Sequence, residues 1–158
     1  MGSLDDLKIL DFSTLLPGPY ATLMLADMGA EVLKISSASR PDIVLDYPPF
    51  IGDTGVSASQ AWLGRNKKTM FLNLKTGEGK AVVKELVKEY DIVLEQFRPG
   101  VMEKLGLGYE DLKAVNPKLI YCSLTGYGQT GPLRDAAGHD IKYMSRSGII
   151  SQAGRRES

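Results

Sequence analysis

The chain has 158 residues, of which 43% are hydrophobic, and this is enough to bury one core, so we expect one domain over residues 1–158. Its 19 basic and 19 acidic residues cancel, which leaves no overall electrostatic reason to bind nucleic acid or an anionic membrane. The single cysteine, Cys122, excludes an internal disulfide framework and a cysteine-based zinc site, so we expect an intracellular protein without a metal site. No apolar run approaches the roughly 18 residues that a membrane span requires.

Short apolar runs alternate with helical patterns along the chain, and this order favours an α/β fold with a largely parallel sheet. In chain order the patterns predict a strand at 7–12, a helix at 18–29, strands at 31–35 and 69–74, a helix at 76–90, a strand at 91–97, a helix at 109–116, a strand at 118–124 and a helix from 139. Between residue 36 and about residue 64, the prolines and glycines predict one long irregular loop that is either functional or mobile.

Two of the predicted helices have an apolar face, which we expect to pack on the sheet. On the helix at 18–29 this face consists of Tyr20, Leu23, Met24 and Met28. On the helix at 76–90 it consists of Val82, Val83, Leu86, Val87 and Tyr90.

The segment GYGQTG, at 126–131, matches the glycine spacing of a dinucleotide-binding loop. Such a loop needs its third glycine on a helix that packs on the sheet, and an acidic residue about 20 residues later to hold the ribose. Here Pro132 follows Gly131 directly. We therefore expect no nicotinamide or flavin site.

A stretch between Thr54 and Gly77 contains basic residues but no acidic one. Its basic residues are Arg65, Lys67, Lys68 and Lys75. Two interpretations are open: a solvated basic loop, or a cradle of cations and backbone N–H groups for a phosphorylated ligand. Arg98 has the same ambiguity, but it follows a predicted strand, and ligands of parallel sheets gather beyond the carboxyl ends of strands.

His139 is the only histidine of the chain. A lone histidine is more often structural or simply exposed than catalytic. This one, however, follows a glycine-rich loop and begins a predicted helix. An imidazole, with an unperturbed pKa of about 6.5, is a suitable base at neutral pH, and the start of a helix disfavours its protonated form. A structural role and a catalytic role both remain open on these grounds.

Four longer segments together are more specific than any of these motifs. They are LKILDFSTLLPGPYATLMLADMGAEVLKI at 7–35, GRNKKTMFLNLKTGEGK at 64–80, EQFRPGVMEKLGLGYEDLKAVNPKLIYCSLTGYGQTGP at 95–132 and AGHDIKYMSRSGI at 137–149. In these segments the chain resembles the class III coenzyme A transferase family, and within it the α-methylacyl-CoA racemase branch. The resemblance extends from Leu7 to about Gly154.

The resemblance implies a Rossmann-like large domain, built from both ends of a longer polypeptide, in a homodimer whose subunits interlock. It implies an acyl-CoA substrate, with coenzyme A as part of that substrate and no separate cofactor. The 158 residues would then be the N-terminal, coenzyme A-binding portion of an incomplete large domain. A glycine-flanked aspartate, which is the second catalytic group of the family, would belong to the downstream half.

Carried over position by position, the resemblance makes His139 the catalytic base of a racemase, since transferase members usually have another residue there. It implies a coenzyme A-binding role for Arg40, Leu72, Asn73, Leu74, Lys75, Phe97, Arg98, Lys104, Gly138, Asp140 and Tyr143. Arg40 departs from the family pattern, because KISSASRP delays an Arg-Pro pair that commonly follows the second strand directly.

The activity implied is inversion of the α-carbon of a 2-methylacyl-CoA thioester, by removal and return of a proton. Two alternatives stay open: a transferase that moves coenzyme A between carboxylic acids, and a catalytically incomplete fragment that binds coenzyme A. We expect the protein in the cytoplasm, or in the mitochondrial or peroxisomal matrix of a eukaryote.

Overall fold

A computed structural model describes residues 2–153 of the chain. The chain forms two compact units, which we call the sheet unit (Met1–Leu124) and the C-terminal unit (Thr125–Ser158). The strands are β1 (Lys8–Asp11), β2 (Glu31–Ser36), β3 (Lys67–Phe71), β4 (Ile92–Glu95) and β5 (Ile120–Ser123). The helices are α1 (Pro17–Asp27), α2 (Ile43–Asp46), α3 (Ala58–Leu63), α4 (Gly77–Val87), α5 (Val101–Leu105), α6 (Tyr109–Lys113) and α7 (Asp140–Arg146), and a 3-10 turn covers Ile149–Gln152.

The five strands form one parallel sheet in the order β3-β2-β1-β4-β5. At its centre, Leu10 of β1 pairs with Leu33 of β2 and with Val93 of β4. Ile9 and Leu10 are both fully buried, so β1 is covered on both faces, as parallel strands usually are. The predicted α/β fold is therefore confirmed, and the strand order is that of a Rossmann-like sheet.

The two faces of the sheet bury different apolar clusters. Leu10 belongs to the larger cluster, with Val83 and Val87 of α4. Ile9, its neighbour in β1, belongs to the smaller cluster, with Ala26 of α1. Complete burial of one such large apolar side chain contributes roughly 1.5–3 kcal/mol, so these two layers hold the strands in place.

Helix α1 turns a different face to the sheet from the one predicted. Leu23 is buried as expected, but Tyr20, Met24 and Met28 remain 43%, 48% and 47% exposed. The buried side instead carries small residues, among them Thr22, whose hydroxyl donates to Asp11 of β1. Small side chains let the helix backbone approach the sheet closely, and apolar periodicity alone does not reveal this.

Two other sequence expectations need correction. The segment predicted as one irregular loop contains helices α2 and α3, which are capped by Asp42 and Ser57 respectively. In α4, Val83 and Val87 are buried, whereas Val82 is 38% exposed.

Within residues 2–153, no helix combines the length and the apolar content that crossing a membrane requires.

Candidate functional site

The carboxyl ends of all five strands lie at the same end of the sheet, which we call the carboxyl edge, because the strands are parallel. In parallel sheets this edge is where ligands bind. The sequence-predicted coenzyme A residues of the sheet unit follow three of these strands. Arg40 follows β2, Leu72, Asn73, Leu74 and Lys75 follow β3, and Phe97, Arg98 and Lys104 follow β4.

The turn after β3 alternates anchoring and exposed side chains. Leu72 and Leu74 pack against the larger core cluster, whereas Asn73 and Lys75 are exposed. The Leu72 amide extends the sheet by donating to the Ser36 carbonyl at 2.9 Å. The leucines therefore hold the turn, and its polar side chains are the ones available to a ligand.

Asn73 is also fixed by hydrogen bonds of its own. Its side-chain Oδ1 accepts from the Lys75 amide at 3.1 Å, and its carbonyl accepts from the Thr76 hydroxyl at 3.0 Å. The Thr76 hydroxyl in turn caps α4 by accepting from the Gly79 amide at 3.2 Å. A Cβ at Gly79 would collide with the Asn73 carbonyl, so glycine is required there for space. The Asn73–Lys75 turn and the start of α4 thus form one rigid unit.

The segment after β4 rests on a buried carboxylate. Glu95 is 5% exposed, and it accepts a hydrogen bond from the Phe97 amide at 2.7 Å. Burial raises the pKa of Glu95, while hydrogen bonds from the Ser123 side chain and from Phe97 oppose that rise. Phe97 packs on the larger core cluster, and the next residue, Arg98, is exposed. The buried glutamate therefore orients the backbone that presents the Arg98 side chain.

Lys104 and Arg40 occupy exposed positions near the same edge. Helix α5 carries Lys104 and starts after Gly100, whose φ of 85° is in the left-handed region that favours glycine. Arg40 lies in a turn in which its amide donates to the Ser37 carbonyl at 3.3 Å. The nearby Asp42 forms a buried ion pair with Lys34, at 3.4 Å between Oδ2 and Nζ. This pair anchors the chain that follows Arg40.

A buried polar network at the end of β1 was not predicted from the sequence. Asp11 is fully buried and accepts from the Ser13 amide at 2.8 Å and from the Thr22 hydroxyl at 2.6 Å. The Lys67 ammonium donates to Thr22 Oγ1 at 2.7 Å and to the Pro19 carbonyl at 2.6 Å, and it lies 3.8 Å from Asp11 Oδ2. An aspartate that ends a buried apolar strand was the one signal available in the sequence.

This network corrects the hypothesis of a four-residue phosphate cradle. Burial lowers the pKa of Lys67 to about 8 against the attraction of Asp11, and its side chain is only 1% exposed, so Lys67 is not available to a ligand. Arg65 forms hydrogen bonds with Asp27, and Lys68 forms an ion pair with Glu31 at 3.3 Å. Within residues 2–153, Lys75 is the one cation of that stretch without a carboxylate partner.

In the C-terminal unit, His139 is the N-cap residue of α7, as the sequence predicted for the start of this helix. Its carbonyl accepts from the amides of Lys142 at 2.9 Å and Tyr143 at 3.2 Å. Its imidazole forms no capping hydrogen bond and is exposed. Backbone bonds thus fix the residue while the ring stays available for proton transfer.

The glycine-rich segment that precedes His139 does not have dinucleotide-binding geometry. Gly128 and Gly131 have φ values of 81° and 89°, and the residues that follow form turns until α7 begins at Asp140. The third glycine therefore does not lie on a helix, as such a loop requires. The segment instead contacts α7, since the rings of Tyr127 and Tyr143 lie 5.6 Å apart.

A model of CoA-transferase family III matches residues 4–158. Human succinyl-CoA:glutarate CoA-transferase is 41% identical over 152 residues, which are 96% of this chain and 34% of that protein. Human alpha-methylacyl-CoA racemase is 41% identical over 154 residues, which are 97% of this chain and 36% of that protein.

The solved structure of a CAIB/BAIF family protein from Brucella suis is similar to this chain with a TM-score of 0.91 and 38% identity, over 99% of this chain and 42% of that one. This chain spans 34% and 36% of the length of the two human relatives. Because both human relatives are 41% identical to this chain, the comparison shows the family but does not distinguish a transferase from a racemase. The chain belongs to CoA-transferase family III.

Proposed function

We propose that this chain is the coenzyme A-binding portion of an α-methylacyl-CoA racemase. The observation that carries the racemase assignment is the exposed imidazole of His139, which takes no part in capping α7. A base for a substrate carbon must be exposed and must have a nitrogen free of hydrogen bonds, and the His139 ring is exposed and forms no hydrogen bond within residues 2–153. The single domain 1–158, acting as part of a homodimer, belongs to the same proposal.

In the proposed reaction, neutral His139 removes the proton α to the thioester carbonyl. The electron pair of the broken C–H bond passes into the carbonyl and gives an enolate, and His139 becomes an imidazolium. A second acid on the other side of the carbon then delivers a proton, which inverts its configuration. By the family resemblance, that acid is the glycine-flanked aspartate, and His139 has the acid role when the opposite enantiomer is the substrate.

Coenzyme A would bind along the carboxyl edge of the sheet. Lys75 and Arg98 are exposed cations on anchored backbone, and Arg40 and Lys104 are exposed near the same edge, so their charges suit the phosphates of coenzyme A. Asn73 offers amide hydrogen bonds, while Leu72, Leu74 and Phe97 support this surface from the core. In the C-terminal unit, we assign Gly138, Asp140 and Tyr143 to the surroundings of coenzyme A by resemblance.

A second candidate is a coenzyme A transferase. It is favoured by the 41% identity to human succinyl-CoA:glutarate CoA-transferase, which equals the identity to the human racemase. In that reaction the family aspartate attacks the acyl carbonyl, coenzyme A leaves as a thiolate, and a mixed anhydride forms. The α-hydrogen is not touched. A third candidate is a catalytically incomplete protein that binds coenzyme A.

The test measures α-hydrogen exchange in heavy water, using the natural gene product, a 2-methylacyl-CoA and no acceptor acid. We expect deuterium incorporation, and a loss of about 100-fold in His139→Ala with nearly unchanged binding of coenzyme A. Ser145→Ala is the matched control, because it removes an exposed hydroxyl from the same helix. Transfer of coenzyme A to an added carboxylic acid without deuterium incorporation would establish the transferase instead. Binding without either reaction would establish the third candidate.

A further inference from the structure

In the C-terminal unit, the Tyr143 hydroxyl lies in a gap between Gly126 and Gly138. A methyl group added to either glycine would overlap this hydroxyl, and the nearest atoms to both sites belong to Tyr143. Neither glycine has a φ in the left-handed region. The need for glycine at both positions is therefore spatial, since a larger residue would displace the tyrosine ring.

Tyr143 is held by its backbone and by one ring contact, while 39% of the residue stays exposed. Its amide donates to the His139 carbonyl at 3.2 Å, which ties it to the first turn of α7. Its ring packs against the Tyr127 ring at 5.6 Å and 47°, and the Arg146 guanidinium lies 5.6 Å from the centre of the Tyr127 ring. Tyr143 thus connects the glycine-rich segment to the helix that begins at His139.

The gap matters because Gly138 is bonded directly to His139. The backbone of Gly138 forms one wall of the gap, so the tyrosine ring limits how far that backbone can rotate. The His139 ring itself lacks a capping hydrogen bond and is exposed, so the direction in which its side chain leaves the chain depends on the backbone that carries it. We propose that Tyr143 is a positioning residue, which fixes the backbone that carries the His139 side chain by filling the gap between Gly126 and Gly138.

This role deepens the proposed function and rests on it for its catalytic meaning, but a measurement without catalysis tests the geometry. Because His139 is the only histidine of these 158 residues, a protein of this sequence gives one set of imidazole NMR signals once any polyhistidine tag is removed. We expect one sharp set in the wild type. Gly138→Ala and Tyr143→Ala should each shift and broaden it, whereas Tyr143→Phe, which removes only the hydroxyl that lies in the gap, should change it less than Tyr143→Ala does.

A double-mutant comparison identifies the tyrosine as the cause. In Tyr143→Ala the gap has room for a methyl, so adding Gly138→Ala should produce no further change in the imidazole signals. Gly77→Ala is the matched control, because the same methyl there meets no atom within 4 Å. Unchanged signals in Gly138→Ala, or independent and additive changes in the double variant, would overturn the proposal.

The catalytic arm uses the α-hydrogen exchange assay in the natural gene product. We expect Gly138→Ala and Tyr143→Ala to lower kcat at least tenfold, because a misplaced acid–base group slows the reaction, and this loss comes in addition to any change in KM from contacts with coenzyme A. An unchanged kcat, with or without a rise in KM, would refute the positioning role, since Tyr143 would then affect only the binding of coenzyme A. If the wild type shows no exchange, the proposed function fails, while the NMR comparison still decides whether Tyr143 orients His139.

Discussion

Replacing Lys67 by methionine should remove a pH dependence from the stability of the sheet unit. Burial lowers the pKa of this ammonium from 10.5 to about 8. The unfolded chain therefore binds more protons than the folded chain between about pH 8 and pH 10.5, and the free energy of unfolding of the wild type should rise with pH across this window. Methionine has a similar length but no proton to lose.

The magnitude follows from the size of this shift. A shift from 10.5 to about 8 corresponds to about 3 kcal/mol at 1.36 kcal/mol for each pKa unit. Relative to Lys67→Met, the wild type should therefore gain up to about 3 kcal/mol between pH 7.5 and pH 10.5. Other titrating groups, such as Tyr90, occur in both proteins and cancel in the difference.

Urea unfolding at several pH values between 7.5 and 10.5 measures this difference. Lys118→Met is the control, because Lys118 is exposed and the substitution should leave the pH profile parallel to that of the wild type. If the free energies of unfolding of the wild type and Lys67→Met differed by the same amount at every pH, the reasoning would be refuted. Such a constant difference would reflect lost packing or hydrogen bonds and not the titration of a buried ammonium.

Three further predictions concern the carboxyl edge of the sheet and the core. Lys75→Ala and Arg98→Ala should each weaken coenzyme A binding, measured by calorimetry, by about 1.5–3 kcal/mol. Arg65→Ala, which loses an internal ion pair with Asp27, should bind coenzyme A within twofold of the wild type. Equal losses of affinity in all three variants would support the four-residue phosphate cradle instead. Thr76→Ala should lower the free energy of unfolding by about 1 kcal/mol through loss of the α4 cap, and no change in urea unfolding would argue against that cap. Leu112→Ala should cost about 2–5 kcal/mol in the same assay because Leu112 is fully buried, and a cost below 1 kcal/mol would contradict its packing.

The sheet could be predicted because its signal is local. Short apolar runs such as those of β1 and β4 are typical of buried parallel strands, and the residues that begin and end helices α4 and α7 lie within a few positions of them. Helices α2 and α3 were missed because they have only 4 and 6 residues, which is too short to show a period.

The partners of charged residues could not be predicted in the same way. Lys67 looked like part of a basic loop, but its ammonium reaches two residues of α1 that lie 45 and 48 positions away in the sequence. The buried side of α1 is recognised only once Asp11 and Thr22 are known to meet. For His139, the sequence placed the residue at the helix start, whereas the gap filled by Tyr143 depends on side-chain contacts that no spacing reveals.

The alternation at Leu72, Asn73, Leu74 and Lys75 restricts how this segment can change in length during evolution. Each leucine packs on the core and each polar residue faces outward. Inserting or deleting one residue between Phe71 and Thr76 would either move the leucines out of their core contacts or displace the Thr76 cap of α4. We expect substitutions that keep the alternation to be tolerated one at a time, and a change of one residue in length to disrupt the core contact and the exposed polar surface together. The spacing between β3 and α4 should therefore stay fixed in functional variants of this protein, even where the identities of the residues drift.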